Sequence, residues 1–173
     1  RAGSTWCAGD DESRRGRSAA FMKILVTGAS GFVGRAVVSR LAADGRDVLA
    51  GSRTPLSALP TGAIQVRMNT LGADADPLVD SPSADVVVHA ANPPYTRWQR
   101  EVLPLARAAM DVAERLGASL MLPGNVYNYG ESMPALLRED TPPRPTTPTG
   151  RTRCDLEAEP ASRAARGCAR ACA

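Results

Sequence analysis

Short apolar runs alternate along the chain with longer segments in which apolar residues recur every three or four positions. Runs without internal polar positions are typical of strands buried on both faces of a parallel sheet, and the longer spacing is typical of amphipathic helices. The pattern predicts strands at 24–27, 47–51, 63–68, 84–91 and 119–122, and helices at 32–43 and 98–116 with a weaker helical stretch around 77–79. This order predicts an α/β fold in which helices cover both faces of a parallel sheet.

The first predicted helix carries one apolar stripe, which is expected to face the sheet. The members of this stripe are Phe32, Val33, Ala36, Val37 and Leu41. After the last predicted strand, the proline-rich segment 134–148 predicts a loop and not a further element.

Three glycines follow the first predicted strand at a spacing of three residues, and the first predicted helix begins among them. Gly28 permits a tight turn, Gly31 leaves room where the backbone approaches a pyrophosphate, and Gly34 lets the helix pack closely on the sheet. The unpaired N–H groups at the start of the helix would face the phosphates. This strand–turn–helix context favours a dinucleotide site over the alternative, a turn that binds no ligand.

The positive charge of the chain is concentrated at its two ends. The whole sequence has 21 Lys+Arg and 18 Asp+Glu, but residues 22–159 have 14 and 15. The central part therefore lacks the basic, aromatic-interleaved surface that nucleic-acid binding needs, and we expect no nucleic-acid partner.

Neither a membrane span nor a secretory signal is predicted, because the chain has no long apolar run and its first residues lack an apolar core. Cys168 and Cys172 are spaced like a metal-binding pair, but a zinc site needs further ligands, and a coincidence of composition is the alternative interpretation. We therefore expect a cytoplasmic protein with no metal site, no membrane partner and no disulfide framework.

The two ends differ from the centre in composition. Residues 1–20 contain Trp6 as their one large apolar residue, and no Val, Ile, Leu, Met or aromatic residue follows Leu156. Pro160 is expected to interrupt the last helix because it lacks an N–H group and clashes with the preceding turn. The predicted domains are a disordered tail at 1–21, a folded domain at 22–159 and a disordered tail at 160–173. Our hypothesis is that the natural start is Met22 and that the second tail is read in a shifted frame.

Three segments resemble the extended or atypical short-chain dehydrogenase/reductases, specifically the NAD-dependent epimerase/dehydratase type. Thr27–Gly34 resembles the glycine motif of that family, Asp85–Ala91 is similar to its fourth strand, whose end lines the nicotinamide side, and Asn125–Gly130 resembles the segment after its fifth strand. The resemblance covers residues 22–159 and implies a Rossmann-type doubly wound parallel sheet that is incomplete at its C-terminal side, because the substrate-binding portion of the family is absent. The cofactor-binding residues that it implies are Thr27, Gly28, Ser30, Gly31, Phe32, Val33, Gly34, Ala90 and Ala91.

The residue after the second strand bears on the choice between the two nicotinamide cofactors. NAD-selective sites usually have an acidic residue there, which accepts from the ribose 2′-OH, but this chain reads Gly51-Ser52-Arg53. Arg53 suits a 2′-phosphate, with which it can form a bidentate charge-assisted pair. The predicted cofactor is therefore NADP(H), with NAD(H) as the alternative. Arg35 is expected either near the same group or at a solvated helix position.

The proton-transfer residues of the family do not carry over directly. Relatives typically use a Ser or Thr together with a Tyr and a Lys four residues apart, and here Asn125, Thr149 and Arg153 stand at these positions. A threonine hydroxyl has no comparable acidity, so Thr149 cannot simply replace a tyrosine. Arg153 is expected to bind the nicotinamide ribose, and Asn125 to hydrogen-bond a carbonyl. Tyr127 or Tyr129 either supplies the acid/base from a shifted position or packs beneath the loop. The candidate catalytic residues are Asn125, Tyr129, Thr149 and Arg153.

The resemblance implies that intact relatives transfer a hydride between a nicotinamide and a carbon bearing oxygen, on a small molecule such as a nucleotide sugar. Two alternatives stay open, a non-catalytic NADP(H)-binding sensor and an inactive fragment whose fifth strand leaves an exposed edge. His89, at the end of the fourth strand, is predicted to be a strand-end residue and not a catalyst, because the sequence identifies no carboxylate to orient it.

Overall fold

The computed structural model describes residues 22–69, 83–165 and 170–172. The predicted tail at 1–21, the helical stretch around 77–79 and Cys168 lie outside these residues. Among the helices that are described, none is long and apolar enough to cross a bilayer.

Six strands form one sheet, and every pair of neighbouring strands is parallel. The strands are β1 (Lys23–Thr27), β2 (Asp47–Ser52), β3 (Ala63–Arg67), β4 (Val86–His89), β5 (Ser119–Met121) and β6 (Arg170–Cys172). The helices are α1 (Phe32–Ala43), α2 (Trp98–Leu116) and α3 (Pro148–Ala165), with short 3₁₀ helices at Tyr95–Arg97 and Val126–Tyr129. The strand order β3-β2-β1-β4-β5-β6 is that of a Rossmann-type sheet, so the predicted fold class is confirmed.

The central strands β1, β2 and β4 are buried on both faces, as their apolar sequences require. On one face, Leu25 and Val87 pack with the apolar sides of α2 and α3. On the other face, Val26 and Val48 pack with Val38 of α1. Successive residues of β1 therefore enter two different cores, which explains why Ile24, Leu25 and Val26 are all apolar.

The predicted apolar stripe of α1 is wrong at three of its five positions. Phe32 is 85% exposed, and Val33 and Ala36 are also exposed, whereas Gly34 and Val38 are the buried residues of this helix. The cause is the close approach of the helix to the turn before it, since a Cβ atom at Gly34 would lie 2.1 Å from the carbonyl oxygen of Gly28. The glycine side of the helix faces the sheet, and the larger side chains of its first turn face solvent.

Pro160 does not end the last helix, so the expectation of an unstructured segment from that residue is wrong at 160–165. Helix α3 continues to Ala165, and Pro160 is buried within it. A proline inside a helix costs about 3 kcal/mol, and this part of α3 is held against α2 by ion pairs. Arg107 of α2 donates to Glu159 at 3.0 Å, and Arg163 pairs with Glu114 at 3.2 Å. Beyond the helix, residues 170–172 form β6 beside β5.

We predict that Leu156→Ala lowers the free energy of unfolding by about 2–5 kcal/mol, because this side chain is almost fully buried between α3 and the sheet and its loss leaves a cavity. Chemical denaturation measures the change. The matched control is Leu136→Ala, at an exposed leucine, which is expected to change stability by less than about 0.5 kcal/mol. Equal effects of the two substitutions would contradict the packing of α3 on the core.

Candidate functional site

A cavity of about 550 Å³ opens at the carboxyl edge of the sheet, where β1, β2 and β4 end. The order of the strands reverses between β1 and β4, and ligands of open α/β sheets bind in the crevice at such a point. Seven of the ten predicted cofactor residues line the cavity, namely Thr27, Gly28, Ser30, Gly31, Arg53, Ala90 and Ala91. The remaining three, Phe32, Val33 and Gly34, belong to the first turn of α1 and are not part of the lining.

The turn between β1 and α1 leaves no space for side chains. Gly28 has φ +70°, and a Cβ atom at this position would lie 2.6 Å from the Cα atom of Ala91. The Gly31 N–H donates to the carbonyl of Gly28 at 2.9 Å, and the Ala29 N–H donates to the carbonyl of Gly51 at 3.0 Å. These contacts fix the turn against the ends of both neighbouring strands.

The start of α1 lies at the edge of the cavity, which its N-cap residue Gly31 lines. Gly31 is the N-cap residue, and no side chain in the described part of the chain caps the helix there. The first turn also contains no acidic residue. A helix start without a capping side chain carries partial positive charge and unpaired N–H groups, which is an arrangement that binds phosphate.

The end of β2 places a cation at the rim of this cavity. Arg53 is exposed and lines the cavity, whereas Ser52 is buried. The Ser52 hydroxyl accepts from Gln65 Nε2 at 3.1 Å. Gly51 leaves room for Met68, because a Cβ atom at position 51 would lie 2.3 Å from the Met68 sulfur. Gly51 and Met68 thus form the wall of the cavity here, and Arg53 lines it beside them.

His89 lies at the end of β4, directly beside the end of β1. Its Nδ1 atom is 3.0 Å from the hydroxyl of Thr27, and both side chains are buried. Burial, reinforced by the positive charge of Arg153, lowers the pKa of His89 to about 4. The imidazole is therefore neutral near pH 7, and its contact joins two strand ends.

The four candidate catalytic residues lie around β5 and α3, and none of them lines the cavity. Asn125 is exposed, and its Oδ1 atom accepts from the Tyr127 N–H at 3.1 Å, which caps the short helix Val126–Tyr129. Tyr129 ends that helix and is half-buried. Thr149 lies in the first turn of α3, where its hydroxyl accepts from Gln99 Nε2 at 3.3 Å.

Arg153 points into the protein and connects α3 to the loop after β5. Its side chain is 8% exposed, its Nε atom donates to Glu157 at 2.8 Å, and an Nη atom donates to the carbonyl of Pro123. Glu157 also accepts from Asn128 Nδ2 at 3.0 Å. The Arg153 guanidinium thus has its partners in α3 and in the loop after β5, and Arg153 lies one helical turn after Thr149.

The sequence pattern did not identify the residues that α2 contributes to the site. Arg97, Arg100 and Glu101 line the cavity from the start of this helix. The signal that could have found them is the position of the helix, because a helix that follows a parallel strand begins at the carboxyl edge of the sheet. Tyr95, also missed, lies with its hydroxyl 3.4 Å from that of Tyr127, and this hydrogen bond raises the pKa of Tyr95.

We predict that the stability of the protein falls as the pH is lowered from about 6.5 to about 4, in part because of His89. Between these pH values the imidazole binds a proton in the unfolded state but not in the folded state. The free energy of unfolding is therefore lowered by about 3 kcal/mol once the pH reaches about 4. His89→Gln is expected to remove this contribution, measured as the difference in pH dependence between the two proteins. His89 is the one histidine of the chain, so its NMR titration is unambiguous, and a pKa near 6.5 would contradict the burial.

Known proteins with related sequences or structures were compared with this chain. The model of the NAD dependent epimerase/dehydratase family matches residues 24–157. The structure of MoeE5 in complex with UDP-glucose and NAD has 29% sequence identity and a TM-score of 0.68, and the match covers 86% of this chain and 51% of MoeE5. A short-chain dehydrogenase/reductase superfamily protein from Agrobacterium tumefaciens, with bound NAD, has 28% identity and a TM-score of 0.60, over 79% of this chain and 43% of the other.

A UDP-galactose 4-epimerase structure, at 21% identity and a TM-score of 0.68, shares the fold over 83% of this chain and 52% of its own. The chain thus spans about half the length of the solved structures that it matches. A search of curated protein sequences gives no significant match. Because the family model extends over most of the sequence and over all elements from β1 to the first half of α3, the chain belongs to the NAD-dependent epimerase/dehydratase family.

Proposed function

We propose that this chain binds a nicotinamide dinucleotide in the cavity at the carboxyl edge, and that it binds NADP(H) in preference to NAD(H). The observation that carries the proposal is the turn at Gly28, just before α1. The backbone there lies so close to Ala91 that no side chain fits at position 28, and both residues line the cavity. The backbone N–H groups of this turn and helix start would hold the pyrophosphate. The cavity of about 550 Å³ is large enough for an extended part of such a cofactor.

The preference for NADP(H) is supported by the residues at the end of β2. Arg53 lies at the cavity rim, and the position that usually carries a ribose-binding acid is occupied by the buried Ser52, whose hydroxyl accepts from Gln65. A guanidinium can form two parallel hydrogen bonds with a 2′-phosphate, which is a stronger contact than it can form with a 2′-hydroxyl.

The reaction that we propose for the complete protein is hydride transfer between the nicotinamide and an oxygen-bearing carbon of a small-molecule substrate. A nucleotide sugar is the substrate class favoured by the likeness to MoeE5, whose structure holds UDP-glucose. When bound, the cofactor supplies the hydride acceptor or donor. The residues of this chain bind and orient it, and the neutral His89 holds the end of β4 to the end of β1 through its contact with Thr27.

Proton transfer in such a reaction would use a group other than the usual Tyr and Lys pair. The Arg153 guanidinium donates to Glu157 and to the Pro123 carbonyl, and the Thr149 hydroxyl accepts from Gln99. We assign to Arg153 the positioning of the loop after β5, and to Asn125 and Tyr129 on that loop the contacts with substrate.

A second function, a binding protein that senses NADP(H) without turnover, is favoured by one specific observation. The side chain at the usual lysine position is buried in an ion pair with Glu157 and does not line the cavity. Such a protein would need the cavity but would not need Asn125 or Tyr129.

We predict that the full chain binds NADPH more tightly than NADH, and that Arg53→Ala weakens NADPH binding about ten- to a hundredfold while it leaves NADH binding nearly unchanged. The reason is the loss of a charge-assisted pair with the 2′-phosphate. Fluorescence titration with each cofactor measures the two affinities. The matched control is Arg40→Ala, at an exposed arginine that pairs with Asp44 on the far end of α1 and should alter neither affinity. Tighter binding of NADH by the unchanged protein would contradict the preference.

Turnover separates the two proposed functions. With NADPH and a panel of carbonyl compounds and nucleotide sugars, the enzyme is expected to oxidise the cofactor, and Tyr129→Phe is expected to slow the reaction at least about tenfold by removing a proton-transfer group. Absorbance at the nicotinamide band follows the reaction. Cofactor binding without turnover, unchanged in affinity by Asn125→Ala and Tyr129→Phe, would instead support the sensor.

A further inference from the structure

We propose that Arg97 and Arg100, at the start of α2, bind the 2′-phosphate of NADP(H) together with Arg53 and so determine the choice of cofactor. This inference rests on the proposed function and extends it to a helix that the family resemblance did not bring into the site. All three arginines line the same cavity, Arg53 directly after β2, Arg97 at the end of the short helix Tyr95–Arg97 and Arg100 in the first turn of α2.

The charge of the cavity favours an anion at this place. Among the described residues that line it, Glu101 is the one carboxylate, against three arginines. The net charge of the lining is therefore positive, and the start of α1 adds the partial positive charge of a helix end without a capping side chain. The 2′-phosphate would be attracted by the arginines, and the pyrophosphate by the start of α1.

The contacts of Glu101 keep both arginines at the cavity and leave them able to change partner. Its Oε1 atom is 3.5 Å from an Arg97 Nη atom and 3.1 Å from an Arg100 Nη atom. The arginine side chains are 53% and 75% exposed, whereas that of Glu101 is 17% exposed. Exposed ion pairs of this kind contribute little to stability, so either guanidinium can turn toward a doubly charged phosphate.

The fold does not require two cations at this end of α2. Cations are unfavourable near the N-terminus of a helix, because the helix dipole is positive there. The helix start is instead fixed by Trp98, which is buried and whose Nε1 atom donates to Asn92 Oδ1 at 3.0 Å. A bound phosphate would compensate both the arginines and the helix end, which gives these residues a role that packing does not.

The experiment compares two probes that differ by the phosphate in question. Adenosine 2′,5′-bisphosphate and adenosine 5′-monophosphate are titrated calorimetrically into the full chain, into Arg97→Ala and into Arg100→Ala. We expect each substitution to weaken the bisphosphate about threefold to tenfold and to change the monophosphate less than about twofold, since the shared groups are untouched. Arg100→Lys is expected to retain part of the affinity, because it keeps the charge but loses the bidentate geometry.

Arg115→Ala is the matched control, since Arg115 is an exposed arginine in the last turn of the same helix and does not line the cavity. Equal weakening of both probes by Arg97→Ala and Arg100→Ala, or no weakening of either, would overturn this inference while Arg53→Ala still reports on the proposed function. If the unchanged protein bound the two probes equally well, the NADP(H) preference itself would fail, and this inference with it. Thermal melting of each variant separates a loss of fold from a loss of affinity.

Discussion

The turn between β1 and α1 holds three backbone segments at distances that exclude side chains. Gly28 lies against Ala91 after β4, and Gly34 lies against the carbonyl of Gly28. The same turn is hydrogen-bonded to the end of β2 through Gly51. A methyl group at Gly28 would collide with the backbone of Ala91, and a methyl group at Gly34 would collide with the carbonyl of Gly28. The glycines of this turn therefore also determine how closely α1 and the end of β4 approach it.

The opposite half of the site depends on a buried polar connection. Arg153 and Glu157, one turn apart on α3, bind the Pro123 carbonyl and the Asn128 side chain of the loop after β5. Among the described residues, the Oδ1 atom of Asn128 is a buried polar atom without a hydrogen-bond partner. An arginine at position 153 thus holds α3 to the loop after β5.

The sequence pattern predicted the strands around β1, both ends of α2 and the glycine turn, because these depend on local periodicity and on residues close together in the chain. The prediction failed where contacts between residues that are distant in the sequence determine the structure. The face of α1 follows from the approach of Gly34 to Gly28, which no helical stripe reveals. Helix α3 continues through Pro160 where it contacts α2, about fifty residues earlier in the chain. The arginines of α2 in the cavity were missed for the same reason, since their meeting with Arg53 depends on the topology of the sheet.

The ion pairs between α2 and α3 have a consequence for motion. Beyond Leu156, α3 has no large apolar side chain, and its second half is held by Glu159 and Arg163, whose partners Arg107 and Asp111 are at least half exposed. Such contacts are screened by salt, whereas the sheet with α1 is not held in this way. We therefore expect the end of α3 to open as a separate cooperative unit, with faster hydrogen exchange than β1, while the strands around the cavity stay ordered.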